Sequence, residues 1–317
     1  MTSIVAMINE YNNWGMNLRR GYELASGIRS TKRAVVVGMG GSGIVGYLAR
    51  DISYHRKDVE ILPYNTPDIP REEVRRRTLI LISHSGNTRE VIEAGLNLYR
   101  QAVKTIAITG GGRLRDISID KGWELVEIPK SILPRLGLPQ MLGALLKVLR
   151  AADKEEIHEA AETINEVVDN AVEQESRNIA SWIFGKHPII IYPTHAHSIA
   201  VRFSSMLGEN SKILSTHIQY PELSHNFIEA LSHIPPQYGI YMFYDSSIYS
   251  KALWRLLTYR DIPVFRRDLI HGDNKVLGYL SEVVIHDIST ILLSEMRGIN
   301  PMETPMIKEY KELIGNV

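Results

Sequence analysis

The chain has no cysteine, which excludes disulfides, thiolate-ligated zinc and thiol nucleophiles together. It has no excess charge of either sign, since 36 Lys and Arg stand against 36 Asp and Glu. No global field therefore draws it to nucleic acid or to an anionic membrane, and an anionic ligand would have to be held by a local pocket. No uninterrupted apolar run approaches the roughly 18 residues that cross a bilayer, and the first thirty residues lack the basic-then-apolar layout of a secretion signal. The expected setting is the cytoplasm. There is no low-complexity segment and no short repeat. What is present is an ordinary globular composition, 44% hydrophobic and 23% charged over 317 residues, and that length suggests two domains.

Residues 1–30 read as a helical preface, with Ile4, Met7, Ile8 and Tyr11 at helical spacing. It is too short for the three-helix unit that usually carries a helix-turn-helix DNA reader. Beyond it, short β-rich runs alternate with helical patterns. Strands are predicted at 33–38, 59–65, 78–83, 104–109 and 123–129, and helices at 43–53, 88–101 and 139–152. A long polar helix is predicted over 151–184, with Ile157, Ala161, Ile164, Val168 and Val172 as its buried stripe. Strands resume at 187–193, 212–214, 238–244 and 262–267, with a long loop over 215–237 and final helices near 277–297 and 306–313. Apolar strands separated by helices imply parallel sheets covered on both faces, an α/β fold with two doubly wound, flavodoxin-like sheets. The expected division is 1–152, preface included, and 153–317, which takes the linking helix and the C-terminal helix.

Two loops carry chemistry. In "LILISHSGNT" (79–88) a buried strand runs into hydroxyls, a histidine, a glycine and an amide. In open parallel sheets such a loop lies where helix N-termini aim N–H groups at a ligand, and a phosphate is the natural guest. An elaborate helix cap would use the same residue types. "GMGGSG" (38–43) follows the first strand and satisfies G-x-G-x-x-G through Gly38, Gly40 and Gly43, a weak dinucleotide signal. A dinucleotide fold wants an acid at the end of its second strand, whereas Glu60 lies inside that strand and the end reads "PYN".

Together these loops resemble the sugar isomerase domain. Within that superfamily the chain is similar to the bifunctional phosphoglucose/phosphomannose isomerases, through "GMGGSG", "SHSGNT", "ITGGGRL", "PRLGLPQ", "GENSK", "ELSHNF" and "RGINPMETP" in order from about residue 33 to the end. The resemblance implies two sugar isomerase domains and aldose–ketose isomerisation of hexose 6-phosphates through an enediol, with no metal or redox cofactor. Such chemistry needs a base, a ring-opening group and a positive charge near the enediolate. The matching positions are Glu209 for the base, His225 for ring opening, Arg135 for the enediolate and Lys311 near the sugar hydroxyls or ring oxygen. Gly41, Ser42, Ser83, Ser85, Gly86 and Thr88 would hold the phosphate. Thr304 stands where conventional phosphoglucose isomerases carry glutamine, leaving room for the C2 epimer, so mannose 6-phosphate should be accepted beside glucose 6-phosphate. In relatives the ring-opening histidine comes from the neighbouring subunit, which implies a homodimer.

Taken singly, Glu209 and Arg135 could be surface charges, His225 a solvated loop side chain and Lys311 part of a charged helix face. His84 occupies a place where many relatives have tyrosine, and Ser224 one where some have histidine. Of the rival readings, a non-catalytic phosphosugar sensor lacks sequence for an appended regulatory module. A glutamine-dependent glucosamine phosphate synthase needs a cysteine the chain does not have. His195 and His197 could share one face of a strand, but no third ligand follows at a familiar zinc spacing.

Overall fold

The computed structural model describes residues 3–270 and 272–315, including their side chains except those of residues 172 and 173. The chain opens with α1 (Ser3–Tyr11) and α2 (Trp14–Leu24). It then alternates through β1 (Arg33–Gly38), α3 (Gly40–Ile52), β2 (Glu60–Tyr64), the single turn α4 (Arg71–Val74), β3 (Thr78–Ser83), α5 (Arg89–Leu98), β4 (Lys104–Thr109), α6 (Gly112–Lys121), β5 (Glu124–Glu127) and α7 (Leu138–Leu149). The strands form one parallel sheet in the order β2-β1-β3-β4-β5, the flavodoxin-like arrangement.

Next, α8 (Lys154–Asn170) starts on a capping box, in which Asp153 accepts from the Glu156 N–H while the Glu156 carboxylate accepts from the Asp153 N–H. A π-helical turn at residues 171–175 joins it to α9 (Ser176–Ile183), so the long helix expected over 151–184 exists with one widened turn. Its stripe is carried by Ile157, Ala160, Ile164 and Val168. Ala160 takes the place expected for Ala161, and the Val172 side chain lies outside the described residues.

The second sheet uses β6 (His187–Pro193), β7 (Thr216–Tyr220), β8 (Tyr238–Tyr244) and β9 (Val264–Asp268) in the parallel order β7-β6-β8-β9. Between and after these strands come α10 (His197–Ser211), the short α11 (Ile228–Leu231), α12 (Ile248–Tyr259), α13 (Lys275–Met296) and α14 (Pro305–Gly315). The strand expected at 212–214 is absent. Lys212 adopts a left-handed conformation that caps α10, and Ile213 turns into the core with its N–H on the Leu207 carbonyl. The pairing strand follows at Thr216, inside the stretch read as loop. It is an edge strand with only Tyr220 fully buried, so it lacks the apolar signature of its neighbours.

Strand alternation divides the interior. Ala34, Val36, Ile80, Ile82, Ile106 and Ile108 face a large core shared with α3, α7, α10 and α13, while Val35, Val37, Leu79 and Leu81 face a smaller cluster under α5 and α6. The shared core also takes Ile190, Tyr192, Tyr241 and Phe243 from the second sheet, so both sheets pack inward on common helices. At its centre is α13, whose 22 residues are long and apolar enough by composition to cross a bilayer, although Glu282 and Asp287 interrupt any pure run. Within its apolar window 89% of the residues are buried in the fold, as in the core helix of a globular protein.

Candidate active site

The carboxyl ends of β1 and β3 lie side by side, Gly38 opposite Ile82, so the two loops singled out in the sequence become neighbours. The Ser42 hydroxyl accepts from the His84 N–H at 3.1 Å, which joins them. In the second loop Ser83 is spent internally. Its hydroxyl accepts from the Gly86 N–H at 3.1 Å and shares a hydrogen bond with Thr88 at 2.8 Å. Ser85 is exposed, and its oxygen accepts only from the Asn87 N–H, leaving its hydrogen free to donate to a ligand. Gly86 has φ +70°, and a Cβ there would lie 1.6 Å from the Gly111 carbonyl oxygen, so any other residue would push the two loops apart. Both loops open helices, α3 and α5, whose first-turn N–H groups have no intrahelical partner.

His84, a departure from the residue many relatives carry, ties its loop to the segment that holds Arg135. Its ring nitrogen Nε2 accepts from the Ser131 N–H at 3.1 Å. The ring fills the space beside Gly137, where a Cβ would come within 2.4 Å of it. Burial, aided by the charge of Lys130, holds its pKa below the ordinary histidine value, which keeps Nε2 an acceptor. Nothing in the sequence flagged this role, because the ring's partners are 47 and 53 residues away.

Between these attachments lies Arg135, on the 3-10 turn at Pro134–Gly137 and only 5% exposed. Its Cα backs directly on Gly41 of the first loop, where an added Cβ would sit 3.2 Å away. The guanidinium makes three bonds: Nε donates to Asn210 Oδ1 at 3.1 Å, Nη1 to Glu209 Oε2 at 3.3 Å and Nη2 to the Pro301 carbonyl at 2.7 Å. Burial lowers its pKa, opposed first by the Glu209 charge, but guanidinium stays charged at neutral pH. Glu209 sits near the end of α10 with its side chain 26% exposed, open to a small molecule yet held against a cation.

Pro301 and Glu303 bring the "NPMET" segment to the same place, since Lys212 donates to the carbonyls of both Glu209 and Glu303. Thr304 follows Glu303 in that segment, half-buried at the start of α14, where its carbonyl accepts from the Lys308 N–H. Here Arg135, Lys212 and the deeper Arg202 lie near Glu209, Glu303 and Asp287, three positive charges against three negative, so the guanidinium of Arg135 is balanced locally by carboxylates. Lys212, Asn210 and Arg202 were not singled out in the sequence. The first two adjoin Glu209 in "GENSK", and Arg202 lies two turns earlier on the same helix.

Two sequence candidates are elsewhere. His225 ends an exposed 3-10 turn after β7, and among the described residues no hydrogen bond or ion pair joins it to Arg135 or Glu209. Lys311 stands on α14, a helix with no buried residue. His195 and His197 do not share a strand. They fall on a 3-10 turn and the first residue of α10, and His197 bonds to Tyr192 Oη. Among the described residues no group of three metal-ligating side chains converges. Glu60 opens β2 at the end remote from the loops and is held by Arg33 and Arg77, so it is not placed to take ribose hydroxyls. Cavities of about 160 Å³ beside Tyr54 and Tyr279 and about 440 Å³ beside Tyr22 and Lys147 include neither Arg135 nor Glu209 in their walls.

Residues 172–314 match the family model of the bacterial phospho-glucose isomerase C-terminal SIS domain. A bifunctional phosphoglucose/phosphomannose isomerase of Aeropyrum pernix is 31% identical, covering 94% of this chain and 93% of its own length. The chain belongs to that family. Its counterpart from Pyrobaculum calidifontis is 30% identical over 96% of this chain and 99% of its own. A D-glucosamine-6-phosphate 4-epimerase of Sulfolobus acidocaldarius is 29% identical over 71% of this chain and 73% of its own. Among solved structures, glucosamine-6-phosphate deaminase of Thermotoga maritima superposes with a TM-score of 0.70 at 17% identity, covering 96% and 98% of the two chains. Tagatose-6-phosphate ketose/aldose isomerase of Escherichia coli gives 0.66 at 14%, covering 95% and 93%. These structures share the fold of this bifunctional isomerase family member, two parallel sheets built as sugar isomerase domains.

Proposed function

We propose that the chain interconverts glucose 6-phosphate and mannose 6-phosphate with fructose 6-phosphate, with Glu209 moving the proton between C1 and C2. One observation carries this reading: a half-exposed carboxylate lies 3.3 Å from a buried guanidinium whose backbone rests on the first phosphate loop. A substrate phosphate held by Ser42, Ser85, Thr88 and the N–H groups of α3 and α5 would bring its sugar across Arg135 to Glu209. As C2 loses its proton, charge builds on the adjacent oxygen, and Arg135 supplies a fixed positive charge there without a metal ion. Family membership and the shared fold support hexose phosphates as the substrate class.

His225 and Lys311 complete the proposal. Ring opening needs a group that exchanges a proton near neutrality, as imidazole does. Because His225 stands exposed on its own turn, we assign it to the cleft of a second copy in a homodimer. Lys311 approaches the sugar hydroxyls from α14. Thr304, half-buried next to Glu303, provides room for either C2 epimer. The division at 152/153, at the cap of α8, and the cytoplasmic setting belong to the same proposal.

The test is to incubate the purified protein with fructose 6-phosphate and a chelator and to quantify both aldose products. Both should form, and Glu209→Gln should stop both. Retention of either activity by that variant would contradict a shared base. Similarity to the 4-epimerase favours one further measurement, the same assay with glucosamine 6-phosphate followed for change at C4.

A further inference from the structure

Arg135 is gripped at two points by a closed ring of hydrogen bonds that belongs to the other half of the chain. Its Nε donates to Asn210 Oδ1 at 3.1 Å, and Asn210 Nδ2 donates to Thr290 Oγ1 at 2.8 Å. The Thr290 hydroxyl donates to the Asp287 carbonyl at 2.7 Å. The Asp287 carboxylate accepts from Arg202 Nε at 3.1 Å and Nη2 at 2.7 Å, and Arg202 Nη2 returns to the Arg135 carbonyl at 3.0 Å. Tyr11 on α1 donates a further bond to Asp287 at 3.0 Å. Asn210, Thr290 and Asp287 are fully buried and Arg202 is 1% exposed.

We infer that Asn210, Thr290, Arg202 and Asp287 are positioning residues that aim the Arg135 guanidinium at Glu209. The inference rests on the reading of Arg135 given above. An arginine side chain has several freely rotating bonds, so a bond to Glu209 alone would leave its plane undetermined. The ring fixes the carbonyl and Nε, which leaves Nη2 for Pro301 and directs Nη1 at the carboxylate. The ring is also a poor device for stability alone. A buried ion pair is often matched or bettered by apolar residues of the same volume, and Arg202 Nη1 is buried without a hydrogen-bond partner among the described residues. Its bonds instead converge on one functional group, with α10 supplying Arg202, Glu209 and Asn210 from a single helix and α13 supplying Asp287 and Thr290 one turn apart.

Steady-state kinetics on the full chain with fructose 6-phosphate test this. Asn210→Ala should lower kcat about 100-fold, the effect of a small misplacement of a charge-stabilising group, while KM changes less than about threefold because the phosphate loops are untouched. Thr290→Val, which removes only a hydroxyl, should lower kcat about fivefold and serves if Asn210→Ala does not fold. In an Arg135→Gln background neither change should cost more than about twofold, because the group they aim is gone. Folded variants with kcat near wild type, or losses that multiply undiminished in the Arg135→Gln background, would overturn the inference. If Arg135→Gln itself retained full kcat, the assignment of Arg135 would fail and the ring's catalytic role with it. A slow Arg135→Gln beside fast ring variants would sink the ring alone.

Discussion

The two sheets have one strand order, β2-β1-β3-β4 matching β7-β6-β8-β9, yet the loops at their carboxyl ends differ in charge and in glycine. After β1 and β3 come glycines, serines, a threonine, Asn87 and the buried His84, with no carboxylate among them. The equivalent loops after β6 and β8 also carry hydroxyls, Thr194, Ser246 and Ser247, but add the carboxylate of Asp245. Burial would raise the Asp245 carboxyl, but bonds from the Ser247 hydroxyl and N–H outweigh it and hold the pKa below the ordinary value, so a fixed negative charge stands at the end of β8. The second unit serves the site differently, sending α10 across to place Glu209 and Asn210 against Arg135. A shared strand order thus positions loops without deciding what they bind.

The largest effect expected from breaking this division of labour is at Glu209. Glu209→Gln should reduce turnover about 10³-fold or more in both directions while leaving substrate binding by the first unit intact, measured as KM or by calorimetry. Next is an exchange of loop chemistry. Ser85→Asp would give the first loop the charge that the second already has, and like-charge contact with the phosphate should raise KM about 30- to 100-fold. The reciprocal Asp245→Ser should change neither KM nor kcat beyond about twofold, and a new phosphosugar site there by calorimetry would break the comparison.

Gly86→Ala ranks third. The left-handed backbone and the contact with Gly111 should cost about 1–3 kcal/mol in urea unfolding and weaken substrate binding about tenfold.

The smallest expected effect concerns acid. His84 has a folded pKa depressed by burial. Its contribution to stability is therefore full above the unfolded value of about 6.5 and is lost as pH falls through the lower folded value. His197, at the opening of α10, is pushed down to about 4, by burial first and then by Arg50 and His217, so it holds its neutral form to more acidic pH. His84→Gln, whose amide oxygen can accept the Ser131 bond without titrating, should lose stability less steeply than wild type between pH 7 and 5 in thermal melts. An unchanged slope would remove His84 from the account.

Five strands, β1, β3, β4, β6 and β8, were legible to the residue because central parallel strands are apolar on both faces and bounded by loop chemistry. Edge strand β7 was not, since half-exposed polar residues carry no such signal, while the apolar pair Ile213 and Leu214 just before it resembles a short buried strand. Of the candidate site, the two glycine- and hydroxyl-rich loops stood out by their own composition. Glu209, Arg135 and Thr304 entered through resemblance, for as isolated residues they look like surface charges and a loop threonine. His84, Asn210 and Arg202 were missed because their roles depend on partners 42 to 85 residues away.

By itself the sequence determined the kind of layers, the parallel sense of the sheets and the neutral donors at the first switch point, because periodicity and local turn chemistry are properties of short segments. The tertiary structure alone decided that Arg135 meets Glu209, that His84 bridges two loops and that a buried ring steadies the guanidinium. Those are long-range contacts, made only when helices from one half close over loops of the other and the groups left out of water find partners.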